Sequence, residues 1–483
     1  MRRIENYIGG TWRASFSEAV LEVEDPGTGE VLAEVPLSTA EEVGTAVRSA
    51  AGAYREWKEV PVTERVACMS RLKMLLEEHF DDIAVTTTRE HGKSLEESRG
   101  DTRRLLENVD AALGIPSLVQ GNILWRVTAE IDEYFVREPL GVFACIAPFN
   151  FPGMIPFWYL PAAVTLGNTM VIKPSEQTPM TTTRIFELIS EAGFPPGVIN
   201  LVHGDRDTVD ALLEHPDVAG VCSVTSTPTA EYVYRKCGEY GKRPLCQAGA
   251  KNYLVVMPDA VFEKAVPNIL GSFFGNAGQR CLAGGNLVVV GGCYDALVEM
   301  VLDEVSQIKV GYGLDAETTM GPVISGAAKE RIERHIAGGV EEGARVLADG
   351  RGVRVEGYPR GHYLGPTVFG EASPDMTICQ AEIFGPVMPA IKARDLDDAI
   401  AMINGRTEYG NTASIFTSSG ASAQRFQRGV NCGMVGINIG VVAPVAWFPF
   451  GGKRKSFFGV LHGQMPDGLD FFTDKKVVIE RWW

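Results

Sequence analysis

The densest gathering of reactive residue types in the chain is Phe274-Gly275-Asn276-Ala277-Gly278-Gln279-Arg280-Cys281. A cysteine that follows a glycine-rich turn and adjoins an arginine has a pliable backbone and a nearby cation. The cation favours the thiolate, the form that attacks carbon. Cys281 is therefore a nucleophile candidate, with a buried structural thiol as the alternative, the reading that suits most of the other eight cysteines. In Pro148-Phe149-Asn150-Phe151-Pro152 an amide side chain stands between two prolines. Asn150 can donate to a developing oxyanion or serve only as a turn residue. Ala381-Glu382-Ile383-Phe384-Gly385-Pro386-Val387 sets one acid in an apolar run. If buried, Glu382 needs a partner, either a ligand hydroxyl or a protein donor, and the sequence leaves the two even.

These residues must be held by a scaffold, and its pattern is α/β. Helical spacing over residues 41–57 and 62–81 predicts scaffold helices, with Val66, Met69, Leu72 and Leu76 on one face. From residue 141 short apolar runs alternate with helical stretches. Val142–Ala147, Thr169–Ile172, Val198–Val202 and Gly220–Val224 read as strands, with helices such as Thr178–Ala192 and Pro228–Gly238 between them. That alternation predicts a parallel sheet covered on both faces. A second α/β region follows Gly249-Ala250-Lys251-Asn252, with elements at Tyr253–Met257, Val261–Phe274, Leu287–Val290, Tyr294–Val305, Asp395–Ile403 and Met434–Asn438. The stretch Phe471–Arg481 reads as a terminal strand, either folded back on its own domain or paired with another subunit.

Open α/β sheets bind ligands at the carboxyl ends of their strands, which invites a nucleotide here. No G-x-G-x-x-G occurs. Lys173-Pro174-Ser175-Glu176 follows a strand, and its ammonium and carboxylate can bind the hydroxyls of a ribose. The carboxylate repels a 2′-phosphate and so favours NAD over NADP. Thr225-Ser226-Thr227-Pro228 opens a helix whose free N–H groups can face a pyrophosphate. Each is also a common form of ordinary helix start.

The chain has 483 residues and a formal charge of −16, with no run of five basic residues, which argues against a nucleic-acid partner. Its length suggests two or three domains, with no repeats or low-complexity tracts. The nine cysteines include no C-x-x-C pair and are odd in number, which reads as reduced thiols in the cytoplasm. Residues 140–172 carry no charge, yet Pro148, Pro152, Pro156 and Pro161 reject a membrane helix.

The PFNFP loop, VIKPSE, GNAGQRC, EIFGPV and FPFGGKRKSFFG occur in the order found in the aldehyde dehydrogenase superfamily, which the whole chain resembles. Within it, IAPFNFPGMIPFW from Ile146, GKRPLCQAGAKNYLVVMPDA from Gly241 and GVLHGQMPDGLDFFTDKKV from Gly459 resemble the CoA-acylating methylmalonate/malonate semialdehyde dehydrogenases. The resemblance implies a Rossmann-type NAD domain (1–119 and 140–252), an α/β catalytic domain (253–442), a small oligomerisation arm (120–139 and 465–483) and a return segment (443–464). It implies Cys281 as nucleophile, with Asn150 and the Cys281 N–H holding the oxyanion. Lys173, Glu176 and Gln177 fall at the adenosine end of the NAD site, Ser226 at the pyrophosphate and Glu382 at the nicotinamide ribose. Ala147, Phe149 and Ala248 line the cleft, and Arg104 and Arg280 match arginines that hold a substrate carboxylate. The expected cofactor is NAD with CoA as co-substrate, the expected partner a small aldehyde, the assembly a homodimer or homotetramer, and no metal is expected.

Three positions depart from the pattern. Gln247 stands where hydrolytic members carry a general-base glutamate and the CoA-acylating ones usually asparagine. Thr225 replaces a glycine, and Gln177 an arginine frequent in the semialdehyde group. The alternative function is a hydrolytic NAD-dependent dehydrogenase of another aldehyde, giving the free acid.

Overall fold

The computed structural model describes residues 2–483. Apolar runs buried on both faces build its two main sheets. Val142–Ile146 and Thr169–Lys173 are buried at every position, as expected of parallel strands enclosed by helices. Along Val142–Ile146 the side chains alternate between two cores. Val142, Ala144 and Ile146 pack with Val43 and Val47, while Phe143 and Cys145 pack with Leu72, Leu105 and Leu188.

The first sheet has eight strands in the order Phe457–Gly459, Arg243–Gln247, Val218–Val224, Val142–Ile146, Thr169–Lys173, Ile199–Leu201, Asn6–Ile8, Thr11–Arg13. The inner run from Arg243–Gln247 to Ile199–Leu201 is parallel. Phe457–Gly459 and the N-terminal hairpin extend its edges in antiparallel fashion. The chain starts this run at Val142–Ile146, builds outward through Thr169–Lys173 and Ile199–Leu201, and then returns to the other side with Val218–Val224. The loop after Val142–Ile146 therefore lies at the switch point, where neighbouring connections diverge and leave a crevice.

Residues 248–251 lead from Arg243–Gln247 straight into the second sheet, whose seven strands run Arg345–Ala348, Thr367–Gly370, Val387–Ala393, Gly284–Val290, Asn252–Val256, Thr412–Phe416, Met434–Ile437. All its pairings are parallel except that of Arg345–Ala348. The carboxyl ends of the first sheet thus feed toward the amino ends of the second. A third sheet joins Ile123–Thr128, Ile131–Pro139 and Thr473–Arg481. The C-terminal strand pairs with Ile131–Pro139 over its whole length, so it folds back on its own chain. Ile123, Leu124, Trp125, Val477 and Ile479 of this sheet are exposed.

The N-terminal helices match their spacing closely, at Ala40–Trp57 and Val62–Glu78. A capping box of Thr39 and Glu42 starts the first. The second stops earlier than expected, and a new helix, Phe80–His91, begins after His79. The following helix, Leu95–Leu113, starts at a second capping box, Ser94 with Glu97. No helix is long and apolar enough to cross a membrane among the described residues.

Candidate active site

Four carboxyl ends of the first sheet meet at the switch point. Ala147 is buried and donates to the Lys173 carbonyl at 2.9 Å, tying two strand ends together. Phe149 stacks on His91 and meets Phe384 edge-on. Lys173, itself buried, reaches Glu176 at 2.8 Å, and Gln177 beside it is exposed. Burial opposes ionisation of Glu176, but the Lys173 ammonium and a backbone N–H hold its carboxyl below the usual range. Ser226 is the N-cap residue of the helix Thr227–Glu239, yet its hydroxyl lies against Thr229 and caps nothing, so the first N–H groups of that helix are left open. Gln247 is buried and donates from Nε2 to the Phe450 carbonyl at 2.8 Å. Ala248 is buried and donates to Ser456.

The amino ends of the second sheet supply the rest. Asn276, Ala277 and Gly278 all have φ between 50° and 73°, a left-handed run that turns the chain sharply just ahead of Cys281 and strains the two residues that bear a Cβ. Side-chain bonds compensate. Asn150 Nδ2 and Asn276 Nδ2 both donate to the Gln279 carbonyl, at 3.0 and 3.1 Å. Asn252 and Asn411, each at the start of a strand, donate to the Cys281 carbonyl at 2.9 Å. Cys281 is partly exposed and in no disulfide. Asn150 is tethered two residues before it, and the second N–H of that amide has no partner among the described residues.

Glu382 Oε1 accepts from the Ala250 N–H, a protein donor, at 2.8 Å. Thr227 Oγ1 accepts from Gly249 at 3.1 Å. A Cβ on Gly249 would stand 2.4 Å from Glu382 Oε2 and 2.7 Å from Thr227 Oγ1. Only glycine leaves this passage clear. A narrow cleft opens beside it, lined by Ala250, Lys251, Gly278, Arg280 and Glu382 among others.

The electrostatics correct one expectation. The Cys281 thiol is pushed up to about 12, chiefly by burial and then by the Glu382 carboxylate, against the N–H groups of Cys281 and Leu282 and the weaker pull of Arg280. Adjacency in sequence did not make Arg280 an activator. Its guanidinium is turned to Glu97 at 3.0 Å and to the Gly271 carbonyl at 3.2 Å. Arg104 likewise faces a carboxylate, Glu107 at 2.7 Å, and the carbonyls of Ala443 and Pro444. Burial also raises Glu382, opposed by the Ala250 N–H, Arg331 and Lys251. Lys251 is lowered to about 8 by burial and donates to the Ile378 carbonyl at 2.6 Å.

The structure thus gathers Cys281, Asn150, Glu382, Arg280, Gln247 and Ala248 at the junction of the two sheets, with Lys173, Glu176, Gln177 and Ser226 along neighbouring strand ends. Arg104 sits on the next helix, against the 443–444 segment. Reasoning from sequence missed Asn252, Asn411, Lys93, Glu97 and Asp101. The S-x-x-E signal at Ser94 would have pointed to Glu97, and Asp101 follows it at i+4. Nothing in the sequence marks the two asparagines. No cluster of metal-ligating side chains occurs among the described residues.

Twin α/β sheets with a cysteine at their junction and strand ends suited to a dinucleotide define a class, and comparison with known proteins identifies it. Residues 12–478 match the aldehyde dehydrogenase family, and the chain belongs to that family. It is 45% identical to malonate-semialdehyde dehydrogenase 3 of Geobacillus kaustophilus over 481 residues, covering 100% of this chain and 99% of the other. Its fold is similar to that of a methylmalonate-semialdehyde dehydrogenase from Oceanimonas doudoroffii (TM-score 0.98, 40% identity, 100% and 99% covered). It is equally similar to a Sinorhizobium meliloti protein described as a methylmalonate-semialdehyde dehydrogenase and complexed with NAD (TM-score 0.98, 38% identity, 100% and 98% covered).

Proposed function

We propose that this chain oxidises a carboxylated semialdehyde, malonate or methylmalonate semialdehyde, through a thioester on Cys281, with NAD as hydride acceptor and coenzyme A as acyl acceptor. The observation that carries this reading is the shared anchor at Gln279: its carbonyl, two residues before Cys281, fixes the Asn150 amide and leaves one N–H of that amide without a partner among the described residues. In the proposed reaction the Cys281 thiolate attacks the aldehyde carbon, and Asn150 with the Cys281 N–H holds the oxyanion. Collapse of that oxyanion expels hydride and leaves the acyl group on sulfur. Bound NAD supplies the hydride acceptor.

Lys173 and Glu176 would hold the adenosine ribose, with Gln177 beside them. Ser226 and the open helix start would hold the pyrophosphate, and Glu382 the second ribose, while Ala147, Phe149 and Ala248 line the path. The clearance at Gly249 suits a ligand passing between the strand ends. Arg104 and Arg280 would take the substrate carboxylate with the N–H groups that Glu107 and Glu97 leave over. Gln247, locked to Phe450, has no lone carboxylate with which to activate water. A thiol brings its own nucleophile, which favours transfer to CoA over hydrolysis. Loss of the β-carboxylate before or after transfer gives acetyl- or propionyl-CoA. The semialdehyde names of the relatives support this substrate class. By the same reading the enzyme works in the cytoplasm as a homodimer or homotetramer, its exposed apolar third sheet meeting another copy.

The test is NADH formation from malonate semialdehyde, methylmalonate semialdehyde and a neutral aldehyde, each with and without CoA, with mass identification of the product. Acyl-CoA from a carboxylated substrate is expected, and none at all from Cys281→Ala. Free acid at full rate without CoA would select the hydrolytic reading.

A further inference from the structure

Two enclosed charges have no part in the scheme above. The side chains of Lys93 and Asp101 are 0% and 1% exposed and lie 3.5 Å apart. A pair withdrawn from water persists where further hydrogen bonds satisfy it, and here those bonds converge on one loop. Lys93 Nζ donates to the Asn150 carbonyl at 2.6 Å and stands 4.1 Å from the centre of the Phe151 ring. Asp101 Oδ1 accepts from the Met154 N–H at 2.7 Å. Asn150 is thus gripped on its carbonyl by Lys93 and on its side chain by Gln279.

The same helix acts on the nucleophile turn. Glu97 precedes Asp101 by one turn on the same face, and it accepts from the Asn276 N–H and from Arg280. One helix face therefore holds both the loop that bears Asn150 and the turn that bears Cys281. We propose that Lys93, braced by Asp101, is a positioning residue that aims the Asn150 amide at the carbonyl oxygen of the substrate, while Glu97 sets the Cys281 turn against it. This rests on the reading of Asn150 as the oxyanion donor.

Lys93→Met removes the grip on the Asn150 carbonyl. The expected result is a kcat lower by about a hundredfold, the scale of a misplaced reacting geometry, with the KM for NAD and the alkylation rate of Cys281 by iodoacetamide held at the parent values. In an Asn150→Ala background the same substitution should bring no more than about a twofold further loss, because the two residues act as one unit. An undiminished kcat, or the same loss factor in both backgrounds, would overturn the proposal. Lys93→Met leaves the Asp101 charge buried alone. If that variant does not fold, Lys93→Met with Asp101→Asn, neutral throughout, takes its place in the same test. A paired variant that also fails to fold assigns the pair to the stability of the fold and ends the proposal. Unimpaired turnover by Asn150→Ala would instead remove the underlying reading of Asn150.

Discussion

At the scale of the residue, Cys281 is a thiol whose surroundings keep it protonated, since burial and Glu382 outweigh its backbone N–H groups and Arg280. The sign of the pH dependence follows. With the pKa raised, the thiolate fraction in the ligand-free chain grows as pH rises, about tenfold per unit below the pKa. Alkylation of Cys281 by iodoacetamide, followed by peptide mass spectrometry, should accelerate from about pH 7 to about pH 9 without levelling. A plateau near neutrality would mean a stabilised thiolate. The residue type and the turn were legible in the sequence, as was Asn150 between its prolines. The direction of Arg280 was not. Three successive left-handed or glycine positions rotate neighbouring side chains to different sides of the turn, and Glu97, far away in sequence, captures the guanidinium. Asn252 and Asn411 escaped notice for a related reason: their task is to hold a carbonyl of a strand neighbour, and only the pairing of the second sheet brings them there.

At the scale of the element, the helix Leu95–Leu113 depends on its first turn. Ser94 accepts from the Glu97 N–H, and Glu97 Oε2 accepts from the Ser94 N–H, while Oε1 of the same carboxylate reaches the nucleophile turn. Ser94→Ala should cost about 1 kcal/mol, seen as a lower midpoint in denaturant unfolding. It should also slow NADH formation, because Glu97 loses the bond that orients it. A midpoint equal to that of the parent would show that the cap carries no weight. The strands from Val142–Ile146 to Val218–Val224 were readable because each is a short apolar run, with ends within two residues of expectation. Gly284–Val290, by contrast, starts three residues earlier than expected, and Arg243–Gln247, Thr367–Gly370, Val387–Ala393 and Thr412–Phe416 were not singled out. Phe80–His91 was not delimited because its inner face buries Thr87, Thr88, Glu90 and His91 in place of aliphatic residues, which erases the apolar stripe. The first strands escaped because Asn6–Ile8 and Thr11–Arg13 are three residues each and gain their place from the sheet edge they join.

At the scale of the whole molecule, the third sheet leaves Ile123, Leu124 and Trp125 exposed on one edge strand and Val477 and Ile479 on the other, with Ile131–Pro139 between them. Exposed apolar side chains on the edge strands of a small sheet favour pairing or packing with another chain. Trp125→Glu combined with Ile479→Lys should shift the sedimentation coefficient to that of a single chain, whereas an unchanged assembly would place the contact elsewhere. A different consequence follows from the way the nucleophile and its amide partner are divided. Asn150 rises from the eight-stranded sheet, and the Cys281 carbonyl is pinned by residues that open strands of the seven-stranded one. The reacting atoms therefore straddle a seam, and a slippage of under an ångström between two otherwise intact halves would silence the enzyme. On warming, turnover should vanish well before circular dichroism registers any melting of either half.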